Sequence, residues 1–280
     1  MREVRRIFLT FACKLSILFL YYMNVGAAAP RLKGMDIFMR EVKLDSMVFG
    51  EGKMKICVPV CAKTRSEALA EIEEIKASPA ELIEWRMDYF EEDILEAAES
   101  VFEAAGKLPV LCTFRTKAQG GERDIDPISY FELYASLAER GAKMVDLELS
   151  ICGALEDYTV EFIRVLHDMG IIVVISNHDF KRTPAKEDMK MRFEAMVALG
   201  ADLPKIAVMA NDQRDVMTLF SAMAEVSETC WPLIGISMGQ VGSVSRVRGS
   251  IFGCAVTFAS RKGKASAPGQ LDAETLAKLL

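Results

Sequence analysis

Lys205 stands alone among apolar neighbours in Leu203-Pro204-Lys205-Ile206-Ala207-Val208-Met209, a run with the length and branching of a buried strand. Taking an ammonium out of water is costly, so a lysine there is either paired or driven toward its neutral, nucleophilic amine. A neutral amine in a dry pocket attacks carbonyls and forms a Schiff base, which turns the substrate into an electron sink. The plainer alternative is a strand-start lysine whose head snorkels to solvent. His178 favours the chemical reading. It lies in Ile175-Ser176-Asn177-His178-Asp179-Phe180, just beyond the end of the preceding apolar run, opposite the buried lysine. An imidazole with an ordinary pKa of about 6.5 is a natural proton shuttle. His167, the other of the two histidines, sits in a helical pattern between Leu166 and Asp168 and reads as structural.

Charged residues also alternate with apolar ones in two other runs. Glu84, Arg86 and Asp88 share one face of a strand, with Ile83, Trp85 and Met87 on the other; Asp146 and Glu148 repeat the device between Val145, Leu147 and Leu149. Such charges either line a site or form a structural ion-pair network. Arg115 closes Thr113-Phe114-Arg115 and leads into Gln119-Gly120-Gly121, a loop able to bring backbone close to a ligand. Arg246 lies in a glycine-rich segment and offers a planar grip on a carboxylate, while Ser266 and Gln270 add neutral hydrogen-bonding groups. The implied ligand is a small, polar, anionic carbonyl compound.

The elements that must position these residues are legible as an alternation. Eight short apolar runs, at 56–61, 82–87, 110–114, 144–149, 171–176, 204–209, 233–237 and 254–258, are separated by helical patterns at 66–77, 93–105, 128–140, 158–169, 187–199 and 212–227. Glycines at 239, 242, 249 and 253 break up the segment after the seventh run, and residues 272–280 form a last short helix. Eight strand–helix units predict an α/β fold, a (β/α)8 TIM barrel whose site lies at the C-terminal strand ends. Residues 41–48 and 50–52 predict a short hairpin that closes the barrel floor. A doubly wound open sheet is the alternative, but no glycine-rich phosphate-binding turn follows the first strand.

The chain has 280 residues, is 51% hydrophobic and carries a net charge of −6, which excludes a nucleic-acid partner held by a basic stripe. Its seven cysteines lack CxxC pairs and read as reduced core thiols. Neither histidine has a second histidine or a cysteine at ligand spacing, which points away from a transition-metal site and leaves a carboxylate-held magnesium ion open. Residues 1–38 are leader-like or an over-extended start: basic residues, an interrupted apolar stretch and Ala27-Ala28-Ala29 resemble a signal peptide. Residues 39–280 are expected to form a single catalytic domain without a stable membrane partner. The location is expected to be cytoplasmic, or exported if residues 1–29 act as a signal.

Together, Glu84-Trp85-Arg86, Thr113-Phe114-Arg115-Thr116, Ser176-Asn177-His178-Asp179-Phe180, Pro204-Lys205-Ile206-Ala207, Ser245-Arg246 and Ser266-Ala267-Pro268-Gly269-Gln270 closely resemble type I 3-dehydroquinate dehydratase from about Arg40 onward. The resemblance implies dehydration of 3-dehydroquinate to 3-dehydroshikimate through a Schiff base on Lys205, with His178 moving the protons. It further implies that Arg246 binds the substrate carboxylate with support from Gln270 and Ser266. Glu84, Arg86 and Arg115 would orient the ring hydroxyls. No metal or organic cofactor is needed in that family, a homodimer is expected, and the reaction serves the shikimate pathway or quinate breakdown. One residue departs from the pattern. The family usually has a glutamate before the paired glycines, where this chain has Gln119, so the histidine is expected to titrate lower than in relatives.

Overall fold

An apolar strand whose residues are buried without interruption needs cover on both faces, and five of the eight predicted runs become strands of that kind. The computed structural model describes residues 41–280 apart from 262, 265 and 266. The leader-like segment 1–38 and Ser266 lie outside the described residues. The described elements begin with an antiparallel hairpin, β1 (Val42–Leu44) and β2 (Met47–Phe49), paired Val42 to Phe49 and Leu44 to Met47. Eight parallel strands follow: β3 (Lys55–Val60), β4 (Leu82–Arg86), β5 (Val110–Thr113), β6 (Met144–Glu148), β7 (Ile172–Asp179), β8 (Leu203–Met209), β9 (Ile234–Met238) and β10 (Val256–Phe258). From β3 to β9 each strand pairs with the next in sequence, and β10 returns to β3. A parallel bridge between Leu233 and Cys254, just before β9 and β10, joins the remaining edges and closes the TIM barrel.

The crossover helices are α1 (Arg65–Lys76), α2 (Ile94–Ala105), α3 (Pro127–Glu139), α4 (Leu149–Ala154), α5 (Glu156–Asp168), α6 (Lys186–Ala198) and α7 (Gln213–Val226). Several start where the sequence supplies a cap. Asp93, Asp126 and Asp212 each accept two backbone N–H bonds from the first turn of α2, α3 and α7. After β9 come two short turns of α-helix, α8 (Gly239–Gly242) and α9 (Ser245–Arg248), and a 3-10 turn at Gly249–Phe252, and the chain ends in α10 (Ala273–Leu279). Two features differ from the sequence expectation. α4 was not predicted, since its six residues are too few to show a period. β7 runs three residues further, because His178 and Asp179 stay in register with Ala207 and Val208 of β8. His178 is therefore part of a strand rather than of the loop beyond it.

The six described cysteines are free thiols, five of them buried. His167 on α5 meets Asp202 at 2.9 Å, in line with a structural role. No described helix is long and apolar enough to cross a membrane.

The hairpin is joined to the barrel through Gly50, which follows β2 at a φ of 89°. A Cβ there would lie 2.5 Å from the Trp231 ring, next to Pro232 at the entry to β9. Gly52 also has positive φ, 68°, but a Cβ there would meet nothing within 4 Å. Gly50→Ala should therefore combine backbone strain with a ring clash and destabilise the fold by about 2–4 kcal/mol. Gly52→Ala should cost only the strain, about 1 kcal/mol. Urea unfolding of the two variants reads the difference, and equal losses would show that the hairpin is not seated on Trp231.

Candidate active site

Alternate strands of a barrel contribute side chains to one interior layer. In one such layer, β4 gives Glu84, β6 gives Asp146, β8 gives Lys205 and β10 gives Phe258. The Lys205 Nζ lies 3.0 Å from Asp146 Oδ2, 3.5 Å from Glu84 Oε1 and 4.2 Å from the centre of the Phe258 ring. The lysine is 3% exposed, so it does not snorkel to solvent; of the two expectations for a buried amine, the structure shows the paired one.

Asp146 is fully buried and bridges two cations. Its Oδ1 accepts from Arg115 Nη2 at 2.8 Å and from the Ser176 hydroxyl at 2.5 Å, while Oδ2 faces Lys205. Burial disfavours its ionised form, but Arg115, Lys205 and the Ser176 hydrogen bond outweigh that and hold the carboxyl below its ordinary pKa. Arg115 also donates Nη1 to Ser176 Oγ at 2.7 Å and to Glu148 at 3.3 Å. Glu148 in turn accepts from the Thr116 N–H and hydroxyl, both at 2.8 Å. Two tyrosines of α3 hold the strands that carry these acids. The Tyr134 hydroxyl donates to the Asp146 carbonyl at 2.6 Å and accepts from the Phe114 N–H at 2.9 Å, and the Tyr130 hydroxyl accepts from the Glu148 N–H at 2.9 Å.

Arg86 is matched by Asp88 in a bidentate pair, with both bonds at 2.8 Å. The same carboxylate accepts from the Glu122 N–H at 3.1 Å and so ties the glycine-rich loop after β5 to β4. In that loop a Cβ on Gly121 would lie 1.8 Å from the Arg115 carbonyl, an approach only glycine allows.

His178 reaches the same space from β7. Its backbone N–H donates to Gln119 Oε1 at 2.9 Å, and its Nδ1 is 3.4 Å from the same oxygen. A backbone N–H can only donate, which fixes the amide oxygen toward the histidine. The amide nitrogen points the other way, to Ser150 Oγ at 2.9 Å and Glu148 at 3.3 Å. Nδ1 facing a carbonyl-type oxygen carries the hydrogen, which leaves Nε2 with its lone pair. Phe180 stacks on the ring at 6.3 Å and 16° and rests on Gly120. Burial, followed by repulsion from Arg115, Lys205 and Arg86, pushes the imidazole well below its ordinary pKa of 6.5.

Arg246, on α9, is the exception to this pairing. It is 2% exposed, and its guanidinium donates only to backbone carbonyls, those of Phe258 at 3.0 Å and Pro268 at 3.1 Å. Its Nε is buried without a partner, and no carboxylate among the described residues pairs with it. Burial lowers its pKa to about 10. Gln270 accepts from the Ala267 N–H at 3.2 Å. Seven of the eight residues selected from the sequence, Glu84, Arg86, Arg115, His178, Lys205, Arg246 and Gln270, line one pocket.

Residues 56–280 match the family model for type I 3-dehydroquinase. The chain belongs to the type I 3-dehydroquinase family. Among curated relatives, 3-dehydroquinate dehydratase of Listeria innocua is 42% identical over 249 residues, covering 86% of this chain and 97% of that one. The enzyme of Syntrophotalea carbinolica is 42% identical over 252 residues with the same coverage. Among solved structures, type I 3-dehydroquinate dehydratase from Clostridium difficile with covalent modified comenic acid superposes with a TM-score of 0.79 at 35% identity. That match covers 86% of this chain and 96% of the other. The Geobacillus kaustophilus enzyme gives a TM-score of 0.80 at 31% identity, covering 88% and 97%.

In and around the pocket of this family member, sequence reasoning passed over Ser176, Tyr130, Tyr134 and Phe258. The first three act through contacts across strands and layers that no local pattern announces. Phe258 reads as core because it ends an apolar run, yet the end of a barrel strand is also where a site residue belongs.

Gln119 presents a neutral oxygen to the His178 ring where a glutamate would present charge. Gln119→Glu should therefore raise the imidazole pKa and move the acid limb of kcat/KM to higher pH. Nitrogen-15 NMR of the ring against pH, run beside the rate profile, checks this; superimposable titrations would contradict it.

Proposed function

We propose that this chain dehydrates 3-dehydroquinate to 3-dehydroshikimate, the dehydration step of the shikimate pathway, through an imine on Lys205. In this reading Nζ adds to the substrate ketone, and the ketone oxygen leaves as water, giving an iminium. The iminium acidifies the adjacent C–H, and His178 Nε2 takes that proton to form an enamine. The enamine then expels the neighbouring hydroxyl, which departs as a second water carrying the proton from His178. Hydrolysis of the product iminium frees Lys205. The depressed pKa of His178 suits it to begin the cycle as a base.

The observation that carries the reading is that Arg246 is buried without a carboxylate among the described residues. Arg86, Arg115 and Lys205 each have a carboxylate of the protein within 3.0 Å, whereas Arg246 has none among the described residues. A substrate carboxylate supplies the missing anion there, with Gln270 beside it and Ser266, outside the described residues, as further support. That pose directs the ring toward Glu84 and Arg86, the groups proposed to orient its hydroxyls. Arg115 is proposed to share that task mainly by holding Asp146 and Glu148 in place. The same reading has residues 39–280 as one catalytic domain working as a cytoplasmic homodimer.

Turnover of 3-dehydroquinate, followed as the conjugated enone product appears, tests this. Arg246→Gln should raise KM about 100-fold with a smaller change in kcat, the signature of lost ground-state binding by a charge-assisted pair. An unchanged KM would refute the carboxylate assignment. Lys205→Ala should abolish turnover, and His178→Ala should lower kcat by about a thousandfold. Normal turnover by either variant would contradict its assigned role.

A further inference from the structure

The interior layer around Lys205 has one member to which the proposed reaction gives no task. Phe258 ends β10, is 4% exposed, and presents its ring face to Nζ with the centroid 4.2 Å away. Any apolar side chain would fill the barrel at that point, but the face of an aromatic ring is electron-rich and attracts a cation. The carbonyl of the same residue accepts from Arg246 at 3.0 Å, so Phe258 stands between the amine and the carboxylate-binding cation.

Condensation changes what holds the nitrogen. An ammonium and a ketone give an iminium and water: a C=N bond replaces the C=O bond, the oxygen leaves with two protons, and the positive charge stays on nitrogen. The ammonium has three N–H donors to share between Asp146 and Glu84, whereas the iminium has one and satisfies at most one of these acids. The ring responds to charge rather than to donor count, so its attraction survives the change.

We propose that Phe258 keeps the Lys205 imine in its charged form through the face of its ring. The proposal rests on the imine chemistry set out above. A neutral imine is a weak electron sink, so the ring sets how far into alkaline pH the intermediate remains reactive. The charged or titratable groups that share the space are Asp146 on β6, Glu84 and Arg86 on β4, Cys57 on β3, Arg115 after β5, His178 on β7 and Arg246 on α9. None of them is altered when only the ring is changed.

Mono-, di- and trifluorophenylalanine incorporated at position 258 of the full chain withdraw electron density from the ring face while nearly preserving its shape. The readout is the rate of borohydride trapping with 3-dehydroquinate as a function of pH, since hydride reduces the iminium. The alkaline limit of trapping should move to lower pH with each added fluorine, and trapping above the native limit should fall about ten-fold across the series. Phe258→Leu should lie at the far end, and Phe258→Tyr should stay with the native chain. A limit that is the same throughout the fluorinated series would overturn the proposal while leaving the imine intact. Failure of the native chain to trap any adduct would instead overturn the imine reading, and this proposal with it.

Discussion

Asp146 has no access to water, and its carboxylate divides its two oxygens between Arg115 and Lys205. Neither cation tolerates burial alone, and the acid does not tolerate it without them. Removing one partner of such a set leaves a naked buried charge, at a cost of about 3–5 kcal/mol. The surrounding structure exists to keep this arrangement in one geometry. Ser176 fills the third position on the acid, Tyr134 clamps its backbone to the end of β5, and Glu148 holds Arg115 from above. The amine is thereby presented from a fixed point in a closed barrel rather than from a mobile side chain.

The same cluster decides where an anion can bind. Counted as ionised, Glu84, Asp88, Asp146 and Glu148 face Arg86, Arg115 and Lys205, so the paired set offers no spare positive charge. A substrate carboxylate entering there would meet a net excess of acid. Arg246, held by two backbone carbonyls and stripped of solvent, is the place where an anion gains most. In the proposed reading, chemistry and binding are thus separated across the pocket, and Phe258 touches both Lys205 and Arg246.

The barrel was legible in the sequence because its evidence is local: each buried strand is a short apolar run, and the stretches between them carry a helical period. The alternation at Glu84 and Arg86 and at Asp146 and Glu148 disclosed inward-facing charge for the same reason. What escaped was set by contacts between distant segments. The pairing of Lys205 with Asp146 spans three strands, and the extension of β7 through His178 follows from register with β8 rather than from its own polar residues. Phe258 carries no polar signature at all. Gln119 was noticed as a departure from the family pattern, but its grip on both the backbone and the ring of His178 needed the fold.

The central claim is that the nitrogen of Lys205 becomes covalently joined to the substrate, and mass spectrometry after borohydride reduction locates that bond. Trypsin cuts after Lys205 in the untreated protein and yields a fragment 193–205. With 3-dehydroquinate present during reduction, that fragment should vanish, activity should be lost, and a peptide 193–214 carrying the reduced adduct should appear. An unmodified 193–205 fragment from protein inactivated by the treatment, or an adduct on any other lysine, would contradict the account.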